Sequence, residues 1–300
     1  MDNETLSSLK VLCIGDIMLD HYVYGTVKRQ SPEAPIPILS YENENFQLGG
    51  VGNVARNISD IGANCTLLSI LSFDKTSKKI RELISNEKRI KLIGINIRNY
   101  NAPIKTRYIN KSKHLLRVDE ENTNFKLKNK AKEKIANIIK INIKKCDVII
   151  LSDYNKGFLD KSVIKKIVKF AKQYNKLIIA DPKKNDLSFY KNIDILTPNQ
   201  KEISDSAGRA LNTEQEIISY ARKMIKKNNI TEILVTRSHK GMLLIGSNYK
   251  TKIKANAKNV VDVTGAGDTV ISVLGLMKGI GMNTINASTL ANYAAGIIIG

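Results

Sequence analysis

Val261-Asp262-Val263-Thr264-Gly265-Ala266-Gly267-Asp268-Thr269, followed by the apolar run 270–277, reads as strand, small-residue turn and helix. The first four N–H groups of a helix lack intrahelical partners and lie at the positive end of its dipole, so anions collect there. Gly265 and Gly267 let the backbone come close to a phosphate, and Ala266 adds little bulk. Asp268 then stands at the mouth of an anion hole. A carboxylate is unfavourable in that position unless it takes a proton from an incoming hydroxyl or holds a cation. The plainer alternative is a tight turn with Asp268 as a helix cap.

Upstream of this stretch, strand and helix alternate. Apolar runs at 147–154, 177–183, 193–199 and 233–237 read as buried strands, helical patterns at 162–174 and 213–227 separate them, and 241–245 reads as an edge strand. This rhythm predicts an α/β fold, a mostly parallel sheet with helices on both faces. Its strands end in Asp153, Asp181-Pro182-Lys183, Thr197-Pro198-Asn199 and Thr236-Arg237, which places polar side chains along the carboxyl edge where open sheets bind ligands. The first strand, 10–16, ends in Asp16, with Asp20 shortly after. These two carboxylates either hold ligand hydroxyls or cap turns.

Residues 17–47 break the pattern. Tyr22, Tyr24 and Val27 alternate, prolines interrupt at 32, 35 and 37, and Ile36, Ile38 and Tyr41 alternate again. A second extended section covers 99–120, with strands at 105–109 and 115–119. Together the two insertions predict a small β-sheet lid over the main sheet, within one domain spanning 1–300. Between them, Gln47-Leu48-Gly49-Gly50-Val51-Gly52-Asn53 reads as a flexible glycine turn before a helix, with Gly50 and Asn53 able to meet a ligand. A dinucleotide-binding fold would put such glycines directly after the first strand. Here some thirty residues intervene, which disfavours a nicotinamide-dependent oxidoreductase. The stretch 122–145 reads as a long polar helix with Ile135, Ile138 and Ile139 inward, and 287–300 as an apolar helix with no evident cap, so that a further element is expected beyond Gly300.

Composition narrows the class. The formal charge is +20, from 48 Lys and Arg against 28 Asp and Glu, but the lysines are spread over helical surfaces mostly without interleaved aromatics, which argues against nucleic acid as a partner. No apolar run is long enough to span a bilayer, and Met1-Asp2-Asn3-Glu4 is acidic where a secretory signal would be basic. Cys13, Cys65 and Cys146 are far apart and set in apolar runs, as free thiols of a reducing compartment would be, so a cytoplasmic location is expected. There is neither a Gly-x-x-x-x-Gly-Lys-Ser/Thr nor a His-Arg-Asp segment, and His21, His114 and His239 lie in unrelated segments.

A glycine anion hole with a base beside it suggests phosphoryl transfer to a hydroxyl, which also needs cationic groups and a divalent metal on the donor phosphates. Asn199 and Glu202, three apart at a helix entrance, share a face that could position a hydrated cation, or else form a capping pair. Lys183 and Arg237 are candidates to meet phosphates, and Asp181 and Asp262 to act behind the site.

The segment from Asp262 to Thr269 resembles the C-terminal signature of the ribokinase-like carbohydrate kinases, and Gly49-Gly50-Val51-Gly52-Asn53-Val54-Ala55 resembles their N-terminal glycine signature. Within that family, Gly15-Asp16-Ile17-Met18-Leu19-Asp20, the segments 31–37 and 151–157, Asp181-Pro182-Lys183 and Thr197-Pro198-Asn199 with Glu202 are most similar to kinases acting on heptose 7-phosphate. The resemblance implies a three-layer α/β/α fold with a β-strand lid. It implies ATP and Mg²⁺ as cofactors, a sugar phosphate as partner, and a homodimer formed through the lid strands. It implies Asp268 as the base and Gly265, Ala266 and Gly267 as the anion hole. Asn199 and Glu202 would organise the metal, with Thr236, Arg237, Gly241, Asn292 and Thr264 around the nucleotide. Asp16, Asp20, Gly50, Asn53, Arg107, Asp153 and Lys183 would surround the sugar phosphate. Arg237 and Ser238 stand where many members have glycine, a feature shared with the heptose kinases, whereas the segment 111–114 lacks the paired glutamines expected before Leu115. Other ribokinase-like sugar or nucleoside kinases share the glycine motifs, and substrate identity within the family rests on the remaining segments.

Overall fold

The computed structural model describes residues 3–122, 125–255 and 265–299. The chain runs α1 (Asn3–Ser8), β1 (Lys10–Gly15), β2 (Ile17–Gln30), β3 (Pro37–Gly50), α2 (Val51–Ile61), β4 (Asn64–Leu71), α3 (Lys75–Ser85) and β5 (Ile90–Asn96). It continues with β6 (Ile104–Asn110), β7 (Lys113–Glu120), α4 (Asn129–Ile143), β8 (Val148–Ser152), α5 (Lys161–Gln173), β9 (Leu177–Asp181), β10 (Ile195–Leu196), α6 (Gln200–Ala207) and α7 (Glu214–Asn228). Last come β11 (Glu232–Thr236), β12 (Met242–Gly246), β13 (Lys250–Ile253), α8 (Ala266–Gly279) and α9 (Thr284–Ile299).

Among the described residues, the large sheet has the order β13-β12-β11-β10-β9-β8-β1-β4-β5. From β11 to β5 every neighbouring pair is parallel, and β12 and β13 add an antiparallel margin. β1 sits between β4 and β8, so the chain first builds outward on one side of it and later returns to build on the other. β1 and β8 are thus the neighbours at which the direction of building reverses, the position where open parallel sheets bind ligands. The central strands are apolar on both faces because helices cover both: Leu12, Cys13, Ile14, Ile149, Ile150 and Leu151 are fully buried. The architecture is the ribokinase-like three-layer α/β/α fold with a strand lid.

Several local expectations need correction. β12 is not the edge strand, because β13 pairs with it outside. The polar helix is shorter than 122–145, running from Asn129 to Ile143; Ile135 and Ile139 are buried in it while Ile138 is half-exposed. The segment ending in Gly49-Gly50 is no flexible turn: it is the last rung of β3, paired with Ile17 and Met18 and entering α2 at Val51. Val261, Asp262, Val263 and Thr264 lie outside the described residues.

The small sheet has the order β3-β2-β6-β7, with β2 and β6 parallel and the other pairs antiparallel. It bears exposed Tyr41, Leu116 and Val118. No helix among the described residues is long and apolar enough to cross a membrane. Cys13, Cys65 and Cys146 are buried free thiols.

Candidate active site

α8 begins at Ala266 with Gly265 as its cap, at φ 79°. Thr269 donates its N–H to Gly265 O at 2.9 Å, so the N–H groups of Ala266, Gly267 and Asp268 precede the first helical bond. Among the described residues, a Cβ built on Gly267 would meet nothing closer than Asp181 Oδ2, at 3.9 Å. The space beside this turn is open to a ligand on that side.

Asp268, in the first turn, is 6% exposed. Its Oδ2 accepts from Asn53 Nδ2 at 2.8 Å and its Oδ1 from Tyr154 Oη at 2.8 Å. Burial pushes its carboxyl up to about 6; the Asn53 and Tyr154 hydrogen bonds pull the other way, Asp20 adds to the rise and Lys105 offsets it. A carboxylate poised there is mostly ionised at neutral pH and has appreciable proton affinity, as a general base needs. α2 and α8 thus bring the two glycine segments of the sequence together at one point.

Asp20 on β2 lies alongside. Its Oδ1 accepts from Arg107 Nη1 at 2.6 Å, and the Arg107 guanidinium stacks on the Tyr22 ring at 5.0 Å. Gly49 is glycine for this carboxylate: a Cβ there would stand 2.3 Å from Asp20 Oδ2. Asp181, at the end of β9, accepts from Thr197 Oγ1 at 3.3 Å. Burial raises its pKa, and the negative charges of Glu202 and Asp268 add to that rise. Glu202 and Asn199 form the capping box of α6: Asn199 Oδ1 accepts the Glu202 N–H and Glu202 Oε2 accepts the Asn199 N–H, both at 2.9 Å. Lys183 Nζ reaches Glu202 Oε1 at 2.9 Å. Thr236 bridges to Asn199 at the end of β11. Asn292 on α9 donates to Lys254 O at 2.8 Å, beside the margin of the sheet.

Five of the expected ligand contacts have partners or close neighbours within the fold. Asp16 is fully buried, and its oxygens accept the N–H groups of Tyr154, Lys156 and Phe158. Asp153 is held by Lys184 Nζ at 3.0 Å, by Tyr190 Oη at 2.6 Å and by the Asn155 N–H at 2.7 Å. Arg237 is buried against Glu214 at 3.0 Å and Lys240 O at 3.1 Å. Charges taken out of water need such partners, and these residues have them inside, although among the described residues Arg237 Nε is left without one. The Gly241 Cβ direction is filled by Ile253 O at 2.1 Å and that of Gly50 by Asp16 O at 2.4 Å, so both glycines answer to the chain's own backbone. Thr264 lies outside the described residues. In the other direction, Tyr154 and Lys105 belong to the site although sequence reasoning gave them no role. Tyr154 had stood at a polar strand end with nothing to show that its phenol reaches helix α8, 114 residues away.

The profile of the pfkB family carbohydrate kinases matches residues 8–300. The bifunctional protein HldE of Rhodospirillum rubrum is 37% identical over 298 residues, covering 99% of this chain and 60% of that protein. The bifunctional protein HldE of Paramagnetospirillum magneticum is 36% identical over 298 residues, with 99% and 61% covered. The chain thus spans about three-fifths of the length of these relatives. Among solved structures, the tetrameric inhibited form of phosphofructokinase-2 from Escherichia coli superposes with a TM-score of 0.81 at 16% identity, covering 97% of this chain and 94% of that one. Arabidopsis thaliana ribokinase complexed with ribose and ATP gives a TM-score of 0.71 at 18% identity, with 97% and 92% covered. At these identities the solved structures speak for the fold.

Proposed function

The chain belongs to the pfkB family of carbohydrate kinases, ATP-dependent enzymes that phosphorylate sugars, and we propose that its acceptor is D-glycero-β-D-manno-heptose 7-phosphate, phosphorylated on the anomeric C1 hydroxyl to the 1,7-bisphosphate. The observation that carries the chemistry is the Asp268 carboxylate, buried at the first turn of α8 beside the open face of Gly267. The heptose reading is supported by the segments 15–20, 31–37 and 151–157 and by Asp181-Pro182-Lys183.

In this reading the acceptor O–H gives its proton to Asp268 while its oxygen forms a bond to the γ-phosphorus of ATP. The bond from that phosphorus to the β,γ-bridging oxygen breaks, and its electron pair leaves with ADP. The N–H groups of Gly265, Ala266 and Gly267 face the charge on the transferred group. Asp20 and Asn53 accept and donate to sugar hydroxyls, with Arg107 orienting Asp20. Lys183 attends the phosphates. Thr236 and Asn292 border the nucleotide.

Mg²⁺ fits the donor chemistry. Asn199 and Glu202 offer hard oxygen donors, and Asp181 feels negative charge from Glu202 and Asp268 that Lys183 partly offsets. No group of three or more His, Cys, Asp or Glu residues among the described residues could hold a metal alone. That accords with a cation carried mainly by phosphates and water, with Asn199 and Glu202 holding its hydration shell. When bound, the metal neutralises charge on the donor phosphates. A second copy of the chain would cover the apolar side chains Tyr41, Leu116 and Val118 on the lid.

The test is a panel of sugar phosphates with Mg-ATP, following ADP release and identifying the product by phosphorus NMR. A new anomeric phosphate on heptose 7-phosphate is the expected result. Preference for another sugar would replace the acceptor assignment, and no turnover with any of them would remove it.

A further inference from the structure

Asp16 builds a loop. Its Oδ2 accepts the N–H of Tyr154 at 3.1 Å and of Lys156 at 3.0 Å, and its Oδ1 accepts that of Phe158 at 3.2 Å. Residues 154–158 are therefore curled around one buried carboxylate as the chain leaves β8, with Asn155 at φ 58° and Gly157 at φ 98° making the turn. This turn directs the Tyr154 side chain to α8, where its Oη meets Asp268 Oδ1 at 2.8 Å. On the other oxygen Asn53, from α2, donates at the same distance. Two donors from two separate elements thus fix both the rotation and the tilt of the carboxylate. A carboxylate oxygen accepts more than one hydrogen bond, so each keeps capacity for an incoming hydroxyl. Across the tyrosine ring, Lys105 Nζ of lid strand β6 lies 5.7 Å from the ring centroid.

We propose that Tyr154 is the positioning residue of the base: its phenol holds Asp268 ionised and aimed at the acceptor oxygen, and Asp16 holds Tyr154 in place to do so. The proposal rests on the kinase reading above, in which Asp268 is the base. Several groups act on Asp268. Asn53 of α2 and Tyr154 donate to it, Lys105 of β6 adds positive charge, and Asp20 of β2 opposes its ionisation. Asp181 of β9 carries a like charge within reach. The phenol is the donor that can be removed without changing any charge or emptying the ring's place. Its own pKa is driven upward by burial and then by Asp268, so it remains a donor across the working pH range.

Tyr154→Phe tests this with two readouts. In protein labelled with ¹³C at aspartate, the Asp268 carboxyl resonance is identified by its absence in Asp268→Asn. Loss of a hydrogen bond to the charged form is expected to move its titration midpoint upward by about one pH unit. The acidic limb of kcat should move with it, and kcat at pH 7.5 should fall by roughly tenfold or more, while KM for ATP and for the acceptor stays within about twofold. Site-specific 3-fluorotyrosine at position 154, a stronger donor of nearly the same shape, should move the midpoint down; it decides the matter should the phenylalanine variant prove unstable. An unmoved midpoint in both variants overturns the proposal. A raised KM for the acceptor with an unmoved limb also overturns it, making the phenol a substrate contact. The resonance needs no substrate, so a chain inactive on every sugar tried would sink the kinase reading while leaving this measurement decisive.

Discussion

Asn53 and Asp268, 215 residues apart in the sequence, are joined by a hydrogen bond of 2.8 Å between the starts of α2 and α8. One helix opens after the Gly49-Gly50 rung of the lid, and the other opens at Gly265. Their junction ties the lid to the start of α8, where the proposed anion hole lies.

Asp268→Asn is expected to lower kcat by about 10²- to 10⁴-fold, the usual worth of a positioned base, with nucleotide affinity nearly unchanged. Turnover close to that of the parent in a coupled ADP assay would remove Asp268 from the mechanism.

The same substitution should stabilise the fold near neutral pH. Asp268 has a folded-state pKa of about 6 against an ordinary 3.8. The stability linked to it is therefore fully present below about pH 4 and lost as pH rises through about 6, with ionisation costing on the order of 3 kcal/mol. Urea unfolding should show Asp268→Asn gaining more over the parent at pH 7.5 than at pH 5. An equal gain at both pH values would mean that the carboxylate is not strained by its burial.

Gly267→Val should fold normally and fail at the phosphate. Among the described residues, the nearest atom to the new Cβ is Asp181 Oδ2 at 3.9 Å, an ordinary contact distance. We expect a melting temperature near that of the parent and at least tenfold weaker ATP binding by calorimetry, because the branches block close backbone approach. Unchanged affinity would dissociate this turn from the nucleotide.

Arg237→Gln should act on stability. The guanidinium is buried and paired with Glu214 at 3.0 Å, so its loss is expected to cost about 1–3 kcal/mol in denaturant unfolding while KM for ATP changes by less than about threefold. A large rise in KM with an unaltered unfolding midpoint would return Arg237 to the nucleotide.

The sheet was legible because its strands are short, uniformly apolar and β-branched, and because each ends in a polar cluster; 147–154 and 177–183 are clear cases. The lid was legible from alternation and proline placement. Less could be read of which carboxylate faces the crevice. Asp16 and Asp20 are only four residues apart, one between β1 and β2 and the other within β2, yet one accepts amides 138 to 142 residues away and the other meets Arg107. Such partners are set by tertiary packing and leave no local pattern. The same holds for Arg237: its counter-charge sits on α7, a partner that no local pattern at the strand end announces.

Only Asp16 separates β1 from lid strand β2, and its backbone oxygen also accepts the Val51 N–H where β3 becomes α2, at 3.1 Å. β2 and β3 are thus both tied at their base to the end of central strand β1, and the lid is not expected to swing there as a door on its hinge. We expect bending farther out, near the register shifts at Tyr24/Gly25 and Val27/Arg29. Amide exchange along β2 should accordingly quicken from Ile17 toward Gln30, and a sugar would enter beneath a flexing tip.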